Sequence, residues 1–295
     1  MKKNIGILAL LINCYVNAQD LSLNLEKGKT YTLSTTNMVT IVQHIDGKEE
    51  KTVNFETGAF SFRLLEHRDS LFLMETRLLH VALESESGSS RLVYSSEKDD
   101  RSDTVSTILR EQINKPFRVL LGNDLIWKEV YGYDTVLRNA IYTYPISTDK
   151  EEQIQNLIRE SGKWLVGPPD MIMTAIYGHH PRDAKGIWSV FTETSTTLPT
   201  NDSLSYYFSD IYGDRLVIKG SGTLTSVFGS QINGSPTDYR LTGRADATIT
   251  LDKNTKWISI AYLNTEMKGH VEVNTGLGKV VVPMTITTNA IITGY

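Results

Sequence analysis

"TYTLSTTNMVTIVQHI", residues 30–45, repeats with a period of two. Tyr31, Leu33, Val39 and Ile41 fall on one face together with Thr35 and Asn37, while Thr32, Ser34, Thr36 and Thr40 take the other. Successive Cβ atoms point to opposite sides of a strand, so this spacing predicts a half-buried β-strand; at helical spacing the same residues would scatter around the axis. "IDGKEE" follows, and its Asp46-Gly47 pair can take the left-handed backbone of a two-residue hairpin turn.

The same period recurs outward along the chain. Strands are predicted at "SLFLMETRLLHVAL" (70–83), "SSRLVYSS" (89–96), "FRVLLG" (117–122) and "LIWKEVYG" (125–132). After residue 186 they resume at "IWSVFTET", "SLSYYFSDI", "DRLVIKGSGTLTSV", "YRLTGRADATITLD" and "KWISIAYLNTEM". The last strand is long, with Val280, Val282, Met284, Ile286, Ala290 and Ile292 on one side. Helices are few. Ser102 can cap one whose stripe is Val105, Ile108, Leu109 and Ile113, ended by Pro116. Thr148 and Glu151 form a capping box for a second, and a third runs from Pro169 to a stop at Gly178.

These elements predict a mainly β fold (α+β) of curved antiparallel sheets, arranged as two pseudo-repeated half-barrel units with a short helical segment between them. The repeat aligns "FRVLLGNDLIWKEV" (117–130) with "ATITLDKNTKWISI" (247–260), matching Trp127 to Trp257. The divisions are a signal peptide at 1–18, an N-terminal β unit at 19–147, a helical connector at 148–185 and a C-terminal β unit at 186–295.

The signal peptide reads from Lys2-Lys3, an apolar Ile5–Ile12 core too short to span a bilayer, and Val16-Asn17-Ala18 before the cut. An alternative is lipidation at Cys14, though Asn13 stands where such signals want a small residue. Export to the periplasm, the outer-membrane surface or the exterior is therefore expected. Cleavage removes Lys2 and Lys3 and takes the net charge from −4 to −6, which argues against nucleic acid as a partner. It also removes Cys14, the chain's single cysteine, and with it disulfides and thiolate chemistry. No other apolar run approaches transmembrane-helix length.

Chemistry-bearing motifs are scarce. "GHHPRDAKGIW" (178–188) places His179 and His180 together, but adjacent extended residues face opposite ways and H-E-x-x-H spacing is absent. They are the weakest of metal candidates, a third ligand having to come from Asp183, His44 or His80, and the stretch reads better as a joint; no metal and no cofactor are expected. "SSEK" (95–98) satisfies S-x-x-K inside a charged loop, and there is no nucleophile elbow, P-loop or dinucleotide fingerprint. No catalytic residue is assigned. Trp127, Trp188, Tyr206, Tyr207 and Trp257 are the residues that could line a ligand cavity; core packing is their other role. Ser70, Thr104, Thr135 and Ser203 each follow Asp and precede an aliphatic residue, a triplet that looks like the O-glycosylation motif of exported Bacteroidota proteins.

"LNLEKGKTYTLSTT" (23–36), "KPFRVLLGNDLIWKEVYG" (115–132) and "HHPRDAKGIWSV" (179–190) together resemble an uncharacterised family of exported Bacteroidota proteins, a domain of unknown function of about this length. That family tends to show Gly-Asp-x-Trp where this chain has Lys185-Gly186-Ile187-Trp188 and lacks the Asp. The resemblance implies a fold and no activity. More distantly, the pattern is similar to periplasmic lipoprotein-carrier half-barrels, an analogy of fold alone. The expected function is a non-enzymatic cell-envelope protein binding an apolar or amphiphilic ligand, such as a lipid, or an envelope protein partner in a curved sheet. A scaffold without a small-molecule site and, behind it, an envelope-polymer hydrolase are the alternatives.

Overall fold

The computed structural model describes residues 21–99, 103–123, 127–142, 173, 176–178, 186–194, 200–227, 230–232, 235–275 and 278–295. The first group of elements is β1 (Thr30–Ile45), β2 (Lys48–Arg68), β3 (Leu71–Ser87), β4 (Ser90–Ser95), α1 (Thr104–Glu111), β5 (Pro116–Gly122), β6 (Trp127–Tyr131) and α2 (Tyr133–Tyr142). The second is β7 (Trp188–Thr194), β8 (Thr200–Tyr212), β9 (Arg215–Ser226), β10 (Ser230–Ile232), β11 (Ser235–Asp252), β12 (Ile258–Thr275) and β13 (Gly278–Gly294).

Asp46 and Gly47 both take positive φ, 51° and 76°, as the hairpin reading requires. That turn sets Ile45 opposite Lys48 and carries the register unbroken to Thr30 opposite Arg63. The two predicted groups of strands join in one sheet, because β1 pairs antiparallel with β13 from Leu33 opposite Gly294 to Gln43 opposite Met284. All thirteen strands belong to that sheet, in the order β7-β8-β9-β11-β12-β13-β1-β2-β3-β5-β6, with β4 on β3 and β10 on β11. The order is that of a simple up-and-down meander, permuted so that the first and last strands meet in the middle. The break falls between β6 and β7, the two ends of that order.

Directly paired residues share a face, so register extends the period of β1 across the sheet. One inner row runs Ile292, Ala261, Ile249, Ile218, Phe208; another runs Leu33, Phe60, Leu78. The inner face forms one apolar cluster spanning both groups of strands, and Met173, Ile176 and Tyr177 of the connector are buried in it. A curved antiparallel sheet with one buried face follows from that alternation.

At one end, here called the base, aromatic side chains close the sheet. Trp257 lies 5.3 Å from Tyr31 and 6.0 Å from Phe62, and its indole N–H donates to the Thr32 carbonyl at 2.9 Å. The Tyr177 hydroxyl donates to the Lys256 carbonyl at 2.7 Å, and Asn24 N–H donates to the Thr255 carbonyl at 2.9 Å. Buried serines act where β3 and β11 change partner. Ser96 Oγ accepts from Val81 N–H at 3.0 Å; Ser226 Oγ accepts from Leu241 N–H at 2.8 Å and donates to the Tyr239 carbonyl at 2.8 Å. Each satisfies backbone groups that the ladder would leave bare.

The helices depart from the sequence reading. α1 is capped by Asp103, whose carboxylate accepts from Ser106 N–H at 3.1 Å, and not by Ser102. Asp, like Ser, can accept from a first-turn N–H, and Lys98 pairs with it at 2.9 Å. α2 follows the β6 strand where the sequence reading assigns no element. Its Leu137, Ala140 and Ile141 recur at helical spacing and pack with Ile108 of α1 in a small separate core. The helix with the Thr148–Glu151 box lies outside the described residues; of the third, Met173, Ile176 and Tyr177 are helical.

Candidate functional site

The inner face changes character from base to tip, the end where β1 turns into β2. Tyr31 and Leu33 are buried, whereas Val39, Ile41 and Ile45, further along the same face of β1, are half-buried and pack on the core's margin. Val280, on the same face of β13, is 47% exposed. Around this strip the apolar wall continues through Met284, Ile286, Met267 and Val271. The neighbouring wall is polar. Across from Asn37, Val39 and Ile41 stand Glu56, Asn54 and Thr52 of β2, and Ser85 donates to the Asn54 side chain at 2.7 Å. The tip is therefore an amphipathic opening to an apolar face.

Two carboxyl groups stand on the inner face, Glu56 beside this strip and Asp202 on β8. Burial raises the Glu56 pKa, partly offset by its hydrogen bond with the Asn37 side chain. Asp202, on β8, is 2% exposed, and among the described residues neither of its oxygens has a partner of full hydrogen-bond geometry. Burial raises its pKa, and the hydroxyls of Thr200 and Thr192 pull it back in part. Beside it the Tyr206 hydroxyl is also buried, without a partner among the described residues, and, through burial first and the Asp202 charge second, is held far above the ordinary tyrosine range. Uncompensated polar groups in an apolar wall cost stability and can hold the polar part of a ligand.

The sign of the Asp202 effect follows from linkage. Its folded pKa lies above the ordinary 3.8, so stability falls as pH rises through the interval between that value and the folded one, and stays lower above it. Asp202→Asn should raise unfolding free energy by roughly 1 to 2 kcal/mol at pH 7 and lose that advantage below pH ~3.8, where the wild-type group is protonated in both states. Denaturant melts at the two pH values check this. A destabilised variant at pH 7 would mean the carboxylate is paired.

The aromatic residues singled out from sequence divide by face. Trp188 and Tyr206 stack at 6.0 Å on the inner face, with Phe208 5.6 Å from Trp188. Trp127 and Trp257, matched by the repeat, stand at the start of β6 and just before β12, and both meet Phe62, at 6.3 and 6.0 Å. Tyr207 is on the opposite face, 44% exposed, so Tyr206 and Tyr207 cannot line one cavity: adjacent strand residues point apart. His179 and His180 lie outside the described residues, among which no three His, Cys, Asp or Glu side chains gather as a metal site. His80 instead contacts Thr57 at 3.0 Å and Glu97 at 3.2 Å. In "SSEK", Ser95 Oγ accepts from Glu97 N–H and Lys98 pairs with Asp103, the contacts of a turn. Ser70 and Thr135 are exposed, and Thr104 and Ser203 are half-buried. Sequence reading placed Asn37 on the inward face but gave it no role, and missed Asp202 and Glu56, whose inward phase could have been counted, though a polar residue on a strand gives no sign of its burial.

These features define a broken up-and-down β meander with an amphipathic inner opening. The chain belongs to a family of unknown function, DUF6263, whose model matches residues 69–258. No curated protein matches the sequence. Among solved structures, lipovitellin, described for its lipid–protein interactions, is similar at 10% identity and TM-score 0.48 over 92% of this chain, which spans 25% of that one. Neisserial surface protein A is similar at 6% identity and TM-score 0.22, covering 90% of this chain and 96% of that one. An outer-membrane channel from Pseudomonas putida F1 is similar at 7% identity and TM-score 0.25, covering 93% and 98%.

Proposed function

We propose that this is an exported, non-enzymatic cell-envelope protein that holds an apolar or amphiphilic ligand against the inner face of its sheet. The observation that carries the reading is the grading of that face, from buried Tyr31 and Leu33 at the base to half-buried Val39, Ile41 and Ile45 at the tip. A core that only stabilises the fold gains from complete burial of such side chains, at roughly 25 cal/mol per Å². Leaving them beside Glu56 and Asn54 makes a wall suited to an alkyl chain and a flank suited to its polar end. Export is supported by the Lys2-Lys3 and Ile5–Ile12 signal pattern.

Native mass spectrometry of protein purified from its own envelope, followed by denaturing lipid analysis, tests this. Stoichiometric lipid in the wild type is expected. Ile41→Glu places a charge on the apolar strip at a half-buried position and should reduce lipid occupancy about tenfold or more while the chain still folds. Repeated recovery of lipid-free wild type would turn the reading to a scaffold.

A further inference from the structure

The outer face of the sheet carries a second site of different chemistry. Where β2, β3, β5 and β6 meet near the base, a cavity of about 460 Å³ opens on the face away from the core. Its floor is Leu71, Leu73 and Leu120, three half-buried leucines on a face otherwise rich in threonine and charge. Two arginines stand over it. Arg68 is already neutralised, its Nε 2.5 Å from Glu66. The Tyr131 hydroxyl, on the same rim, donates to Glu129.

Arg118 differs. Glu75 lies directly opposite it in register, yet the Glu75 carboxylate is held by Arg63 at 2.9 Å and Arg77 at 3.2 Å on its other sides. Among the described residues Arg118 therefore has no ion pair or side-chain hydrogen bond, and it lines the cavity. A guanidinium presents a planar fork that matches a carboxylate bidentately. A leucine floor with one uncompensated cation at its rim complements a single anionic head on an aliphatic body.

We infer that this outer cavity binds an alkyl carboxylate, the head on Arg118 and the chain on Leu71, Leu73 and Leu120. The site is separate from the inner face, and neither depends on the other. Dodecanoate, dodecanol and dodecyltrimethylammonium are titrated calorimetrically, below their aggregation concentrations, into full-length wild type, Arg118→Gln and Ile41→Glu. Arg118 is exposed and unpaired, so its replacement leaves the fold intact, which thermal melting checks. Dodecanoate should show an outer-site binding step that persists in Ile41→Glu, loses about tenfold or more in affinity in Arg118→Gln, and weakens with added salt. Dodecanol and the cationic amphiphile should not respond to the Arg118 change. Equal dodecanoate affinity in wild type and Arg118→Gln, or retention only on anionic vesicles and not of the monomeric carboxylate, would overturn the assignment.

Discussion

Trp257→Ala should lower the free energy of unfolding by about 3 to 5 kcal/mol, a large share of what a domain of this kind holds in reserve. Trp257 is 3% exposed and stands at the base, where it touches Tyr31 of β1 and Phe62 of β2 and donates to the Thr32 carbonyl. Alanine removes the indole volume, two aromatic contacts and the hydrogen bond at once, and β1, β2 and the β11–β12 turn cannot all close on the gap. Trp257→Phe keeps most of the packing and loses the donor, so it should cost only about 1 to 2 kcal/mol. Chemical denaturation of both variants separates the terms. A cost for the alanine variant below about 1 kcal/mol would show that the base is not sealed by this ring.

Gly243→Ala should cost about 3 kcal/mol, although it adds only one methyl group. Gly243 sits in β11 between β9 and β12, opposite Leu224 on one side and Met267 on the other. A Cβ there would stand 2.0 Å from the Glu266 carbonyl oxygen and 2.7 Å from Met267 Cα. Both are backbone atoms of the adjacent strand, so no rotamer change relieves the clash; β11 and β12 must separate and strain the ladder. The neighbouring Thr242→Ala, on the exposed face, should stay within about 0.5 kcal/mol and serves as the control. Hydrogen exchange should localise the Gly243→Ala effect to amides of β11 and β12, and a uniform loss of protection would refute this account.

Much of the fold was legible because its signals are local. The inward set Tyr31, Leu33, Val39 and Ile41 is a count of alternate residues, and Asp46-Gly47 names a turn by the backbone it permits. The long inward stripe of β13, Val282 through Ile292, is likewise read from spacing. Misreadings arose where local signals compete. Ser102 and Asp103 are both good caps, and α2 begins one residue after Tyr131 and Gly132, where a strand reading runs on until glycine stops it. The site was less legible. Trp188 and Tyr206 were picked out and do stack, but Tyr207 was grouped with them by adjacency although strand geometry sends it to the other face.

What the sequence by itself determined is the period of each strand, which side chains turn inward, and where the hairpins fold, because each rests on interactions within a few residues. Only the tertiary structure decided that β1 closes on β13, that Trp127 and Trp257 converge on Phe62, and that Asp202 is buried while Arg118 is left without a counter-ion among the described residues. Such pairings join segments far apart in the chain, and their energy comes from burial and register across the whole sheet, which leave no mark on any one stretch of residues.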